Sequence, residues 1–180
     1  GGVLASGGKS EAVSFDGVDD SLNYSSDTNL NPDSGNFTLE CFVYRHTGQI
    51  SIYYGQSSGN MGIRVRSNGA LSIERRNVAF DLLGSANDVP ENQWSHIAVT
   101  RHVGSLKTYV NGVYKSAAST TATYTGTFSS GKTPDAFDKG AVASLHFVKG
   151  TALYTGTSNF TPPTTISSHS NTKLLCCQSA

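Results

Sequence analysis

The stretch Trp94–Lys115 constrains the fold more than any other. It reads Trp-Ser-His-Ile-Ala-Val-Thr-Arg, then His-Val-Gly-Ser, then Leu-Lys-Thr-Tyr-Val-Asn-Gly-Val-Tyr-Lys. Two β-branched apolar runs and two turn signals fall within a single short segment. Gly104-Ser105 is placed to close the first pair of strands. Asn111-Gly112 is placed to close the second, because both central residues of a type I′ turn need positive φ, which Asn-Gly adopts at low cost. A three-strand antiparallel meander is therefore written into the chain.

The flanking sequence repeats the same grammar. Val13 and Phe15 alternate with polar neighbours, Gly17 interrupts, and Leu22 and Tyr24 resume the pattern. Residues 25–36 carry the Asp, Asn, Pro and Gly of a loop. Phe37–Arg45 is the strongest strand: Phe37, Leu39, Cys41 and Val43 share one face, while Phe42 and Tyr44 make the other partly apolar. A strand apolar on both faces belongs inside a layered structure. Ile50–Tyr54 is a short strand. Gly62–Arg66 and Leu71–Arg75 form a hairpin in which Ile63 and Val65 face Leu71 and Ile73, with Arg64, Arg66, Ser72 and Glu74 on the opposite side. Residues 77–92 are mixed, 117–138 read as a long loop with one weak strand, and 141–149 and 173–178 read as strands. No 3.6-residue apolar period persists over three turns. About ten to twelve antiparallel strands without a helix predict an all-β, two-sheet antiparallel β-sandwich of jelly-roll type.

Thirteen Lys and Arg balance thirteen Asp and Glu. That neutrality argues against nucleic acid and anionic membrane surfaces, both of which require a basic excess. No run approaches transmembrane length and no charged-then-apolar leader opens the sequence. The chain begins Gly1-Gly2 without Met, as a processed product or an excerpt would, and Gly-rich residues 1–10 read as a flexible arm ahead of a domain spanning 11–180. The three cysteines are Cys41, Cys176 and Cys177. An odd count with a vicinal pair makes a poor disulfide framework, so reduced structural thiols are expected.

Four segments together resemble the laminin-G-like branch of the concanavalin A-like lectin/glucanase superfamily: Val13-Ser-Phe-Asp-Gly-Val-Asp-Asp20, Asn36-Phe-Thr-Leu-Glu-Cys-Phe-Val43, Trp94-Ser-His-Ile-Ala-Val-Thr-Arg101 and Tyr109-Val-Asn-Gly-Val113. Their order and spacing carry the likeness across nearly the whole chain. Val148-Lys-Gly-Thr-Ala-Leu-Tyr154, Asn159-Phe-Thr-Pro-Pro-Thr164 and Thr172-Lys-Leu-Leu175 resemble the tail of such domains in marine bacteriophage structural proteins. That second resemblance implies a module at the surface of a virion, in contact with other virion proteins and assembled as a homo-oligomer.

The glucanase relatives imply paired carboxylates at Glu-x-Asp-x-(x)-Glu spacing, about 5 Å apart for a retaining mechanism. The four Glu here, at 11, 40, 74 and 91, do not follow that spacing, and Glu40 and Glu74 each stand alone on a strand. His46, His96, His102, His146 and His169 are scattered, and no Gly-x-Ser-x-Gly elbow is present. A non-enzymatic role is expected. Many relatives imply calcium, which takes about six to eight oxygens. The clustered acids are Asp135 with Asp138, then Asp19 with Asp20, although Asp is also an ordinary turn residue. For glycan binding, exposed aromatics stack on sugar faces while amides and Arg direct hydrogen bonds. Tyr53, Tyr54, Gln56, Asn60, Arg64 and Arg66 gather in one hairpin region, with Tyr124 in the long loop as a further candidate. The alternative is that Tyr53 or Tyr54 packs in the core and the arginines only keep the sheet soluble. The expectation is thus a virion structural or adhesion module, extracellular, with weak binding of cell-surface glycan. The alternative is a calcium-assisted carbohydrate-binding lectin domain of a larger secreted or cell-surface protein.

Overall fold

A computed structural model describes Lys9 and residues 11–178. The arm expected over 1–10 lies outside the described residues except for Lys9. In chain order the strands are β1 (Val13–Asp16), β2 (Leu22–Asn23), β3 (Phe37–Thr47), β4 (Ile50–Gly55), β5 (Met61–Val65), β6 (Leu71–Arg75) and β7 (Ala79–Leu83). They continue as β8 (Trp94–His102), β9 (Ser105–Val110), β10 (Val113–Ser119), β11 (Phe128–Ser130), β12 (Lys139–Lys149) and β13 (Thr172–Cys176). A single 3-10 turn, Thr28–Leu30, is the only helical element among the described residues.

The strands form two antiparallel sheets packed as a sandwich. One has the order β1-β12-β3-β8-β9-β10, with β13 also paired to β12; the other has the order β2-β11-β4-β5-β6-β7. The meander is β8-β9-β10, and β3 pairs directly with β8, Phe37 opposite Arg101 and Tyr44 opposite Trp94. In the second sheet Ile63 pairs with Ile73 and Val65 with Leu71, as the alternation required. Phe37, Leu39, Cys41 and Val43 meet Ile50, Ile63, Val65 and Ile73 in one core cluster between the sheets. Burial of apolar surface at roughly 25 cal/mol per Å² makes this interior the main stabilising term.

The Asn111-Gly112 turn has both central residues at positive φ, 51° and 75°. The first turn differs by one residue from expectation: its positive-φ pair is Val103 (46°) and Gly104 (74°). Val103 is β-branched and an unfavourable occupant of that region, but its N–H donates to Asn36 Oδ1 at 2.9 Å, which fixes the backbone there. Two segments are more regular than their sequence suggested. Residues 77–92 contain β7, the edge strand of the six-stranded sheet, and the expected loop 117–138 contains the end of β10 and all of β11.

Residues 150–171 run as a strap over the outer face of the seven-stranded sheet. Tyr154 and Phe160 stack with centroids 4.1 Å apart, and Tyr109 sits against both. Phe160 N–H donates to the Gly112 carbonyl at 2.9 Å, and Tyr109 Oη donates to the Gly156 carbonyl at 2.6 Å. Beneath the strap lies Glu40, whose carboxylate accepts from His146 Nδ1 (3.0 Å), His96 Nε2 (3.2 Å) and Tyr154 Oη (2.8 Å). Burial pushes this carboxyl upward, but the three donors outweigh burial and hold it down at about 2. Glu40 is thus a buried tie between sheet and strap.

Candidate functional site

The outer face of the six-stranded sheet carries a polar groove of about 390 Å³. Its floor follows from strand alternation: with Ile63 and Ile73 turned to the core, Arg64 and Glu74 on β5 and β6 point outward. Arg64 Nη2 lies 3.2 Å from Glu74, and Arg64 Nη1 donates to Gln49 Oε1 at 2.9 Å. Tyr54 Oη donates to Glu74 Oε1. Burial, and then that hydrogen bond to an anion, raise the phenol well above its ordinary range, so Tyr54 stays protonated as a donor. Gly62 makes room for this arrangement, because a Cβ there would overlap the Tyr54 ring.

The walls come from the β6–β7 turn and from the segment before β12. Asn77, at φ 59°, turns the chain into β7, which sets Arg76, Val78 and Phe80 along one side. Thr133 and Asp135 close the other side, and Arg76 Nη2 reaches Asp135 Oδ2 at 3.0 Å. Phe80 is 48% exposed, with the Arg66 guanidinium 4.7 Å from its ring centroid. The groove therefore joins an apolar ring face to alternating donors and acceptors. Such a surface suits a polyhydroxylated ligand, whose C–H faces stack and whose hydroxyls both donate and accept.

The structure separates the sequence-derived candidates. Tyr54 and Arg64 lie in the groove and Arg66 beside it. Tyr53 does not: it is fully buried, stacks on Phe128 at 4.1 Å and donates to the Leu30 carbonyl at 2.7 Å. Tyr124 is likewise fully buried, edge-on to Phe37, and donates to Asp81 Oδ2 at 3.0 Å; burial pushes its phenol up to about 12. Both rings belong to the core and are closed to sugar stacking. Gln56 holds β11 through Ser129 Oγ (2.6 Å), and Asn60 Oδ1 accepts from Ser57 N–H in the turn before β5. Glu74, Arg76, Phe80 and Thr133 were missed as groove residues. The available signal was Asn77 followed by Phe80 and Leu82, but a bulge in the pairing of β7 with β6 sends Phe80 outward and Leu82 to the core, so no period of two stands out.

The structure treats the four acids named for calcium differently. Asp138 is buried and accepts from Ser51 N–H (2.7 Å) and Gln49 Nε2 (3.0 Å), so it anchors β4. Asp135 is paired with Arg76 in the groove wall. Asp19 and Asp20 do converge with Asp16, one carboxylate oxygen from each lying within 4.8 Å of the others. However, Asp16 Oδ1 already accepts from Val18 N–H (2.8 Å) and Asp19 N–H (3.4 Å), and Asp20 Oδ2 accepts from Asp16 N–H (3.1 Å). Among the described residues this exposed turn is the one place where three acids bring carboxylate oxygens together.

Fold and groove together describe a two-sheet, jelly-roll sandwich with a groove on the outer face of one sheet. The laminin-G-type family model described as concanavalin A-like lectin/glucanases superfamily matches residues 16–153, and the chain belongs to that superfamily. No curated protein matches it. Among solved structures, a candidate carbohydrate binding protein from Bacteroides ovatus superposes with TM-score 0.58 at 14% identity, covering 78% of this chain and 45% of that one. The chain thus spans less than half of that protein. A native heptameric SAP-like pentraxin from Limulus polyphemus gives TM-score 0.56 at 14% identity over 76% of this chain and 74% of that one. Domain 4 of AbnA, a GH43 extracellular arabinanase from Geobacillus stearothermophilus solved with arabinotriose, gives 0.53 at 22% identity, covering 67% and 64%. At these identities the likeness is one of fold.

Proposed function

We propose that this chain is a carbohydrate-binding domain whose ligand is a polysaccharide segment held in the groove of the six-stranded sheet. The observation that carries the reading is the exposed ring of Phe80 beside the Tyr54–Glu74–Arg64 hydrogen-bond chain and the Arg76–Asp135 pair. Phe80 offers a stacking platform, and the charged pairs offer donors and acceptors already fixed in place, so little ordering entropy is lost on binding. The paired charges favour a neutral sugar over a strongly anionic one. Superfamily membership supports the reading, as do the carbohydrate-binding description of the Bacteroides ovatus protein and the arabinotriose bound with the arabinanase domain. For that reason the lectin reading stands ahead of a purely structural virion module. Binding is to a glycan met outside the cell.

The test is affinity electrophoresis against a panel of soluble polysaccharides that includes arabinan, galactan, xylan and a uronate polymer. Retardation by a neutral member is expected. It should fall about tenfold in Phe80→Ala, a loss equivalent to about 1.4 kcal/mol, and persist in Tyr124→Phe and in EDTA. Absence of retardation across the panel, or retardation indifferent to Phe80→Ala, would overturn the proposal. Loss in EDTA would move the site to a metal-dependent surface.

A further inference from the structure

The cysteines at the end of β13 form a second feature, independent of the groove. In an extended strand adjacent side chains point to opposite faces. Cys176 and Cys177 escape that rule because Cys177 adopts φ 61°, a left-handed conformation that turns its side chain back toward its neighbour. Their sulfurs lie 3.6 Å apart. Cys177 is held in this conformation by its own carbonyl, which accepts from Ser144 N–H at 2.8 Å, Ser144 itself sitting at φ 51° in the bulge of β12 against β3. Both thiols are partly exposed, whereas Cys41 is fully buried in the core. The hydrogen bond between the two sulfurs also holds the Cys177 thiol below its ordinary range and raises Cys176, the ordering of an attacking and a resolving thiol.

We infer that Cys176–Cys177 is a thiol–disulfide exchange site that takes a low-molecular-weight disulfide as oxidant and closes to a vicinal disulfide. The Cys177 thiolate attacks one sulfur of the small disulfide, that S–S bond breaks, and one small thiolate leaves to be protonated by the proton Cys177 released. Cys176 then loses its proton and attacks Cys177 Sγ, expelling the second small thiol. Two protein thiols are oxidised and one small disulfide is reduced to two thiols. Adjacent Cα atoms lie about 3.8 Å apart, below the usual disulfide span, so the closed form is strained and easily reduced. The pair would therefore be open in a reducing compartment and closed in an oxidising one.

The experiment incubates the full chain with oxidised glutathione, then unfolds it, alkylates it with N-ethylmaleimide, and measures intact mass and peptide map. Expected is the loss of two hydrogens, with Cys41 the one alkylated cysteine and no retained glutathione. Cys176→Ser and Cys177→Ser should each stop at a glutathione adduct or an unreacted thiol, while Cys41→Ala should still close the ring. A stable glutathione adduct on the wild-type chain, a bond involving Cys41, a disulfide-linked dimer, or three alkylated cysteines would each overturn the inference. The wild-type peptide map decides the matter even if a variant fails to fold.

Discussion

Gly112 stands where two demands coincide, and replacing it separates the geometry of a turn from the docking of the strap. Its φ is 75°, and a Cβ added there would overlap the Phe160 carbonyl oxygen and lie 3.0 Å from Phe160 C and Pro162 Cδ. Gly104 is its natural control: its φ is 74°, but an added Cβ would meet only the Thr120 carbonyl, at 3.3 Å. Gly104→Ala therefore costs mainly the left-handed penalty, about 1–2 kcal/mol. Gly112→Ala carries the same penalty and also displaces the strap. That displacement breaks the Phe160 N–H to Gly112 bond, worth about 1 kcal/mol, and disturbs the packing of Phe160 against Tyr109 and Tyr154, worth about 1 kcal/mol more. The expected loss is then about 3–4 kcal/mol for Gly112→Ala. Urea unfolding followed by the fluorescence of Trp94, the single tryptophan, reads this directly. With a slope near 2 kcal/mol per molar urea, the midpoint should fall by about 0.5–1 M for Gly104→Ala and about 1.5–2 M for Gly112→Ala. Equal losses in the two variants would show that the strap contributes nothing at this contact and would refute the reasoning.

Two further outcomes follow from backbone and charge. Val103 is 81% exposed at φ 46°, so Val103→Asn should raise stability by about 0.5–1 kcal/mol, because Asn tolerates that region far better; an unchanged or lower urea midpoint would contradict this. Glu40 has a folded value of about 2, below its ordinary 4.5, so its contribution is complete above the higher value and is lost as pH falls toward the lower. Stability of the wild type should therefore decline across that acid window, and Glu40→Gln should flatten the Glu40 part of the decline; parallel pH profiles for the two proteins would contradict the assignment.

The strands with clean alternation were legible from their residues. β3, the β5–β6 hairpin and the meander have strong apolar periods, so their faces and pairing needed no tertiary information, and Asn111-Gly112 announced its turn. β7 was hidden because a bulge in its pairing with β6 puts Phe80 and Leu82 on opposite faces, so its apolar residues show no period of two. The candidate site was half legible for a related reason. Arg64 and Glu74 were correctly assigned to the solvent face, but the residues that make that face a groove come from a turn and from a loop about sixty residues further along the chain.

The sandwich is specified by local residues, since period-two burial and turn chemistry act within a strand and its nearest turn. Which aromatic faces solvent is not local. Strict alternation along β4 would place Ile52 and Tyr54 on one face and Tyr53 on the other, yet Ile52 and Tyr53 both enter the core and Tyr54 reaches the groove. The cause is the irregularity between Ser51 and Tyr53 in the pairing of β4 with β5, which shifts the register by one residue and reverses every side chain beyond it. Asp138 fixes that segment by accepting from Ser51 N–H, from a position eighty-seven residues away in the chain. A bulge held by so distant a carboxylate leaves no mark in the local pattern, so only the assembled structure could decide which tyrosine serves the site.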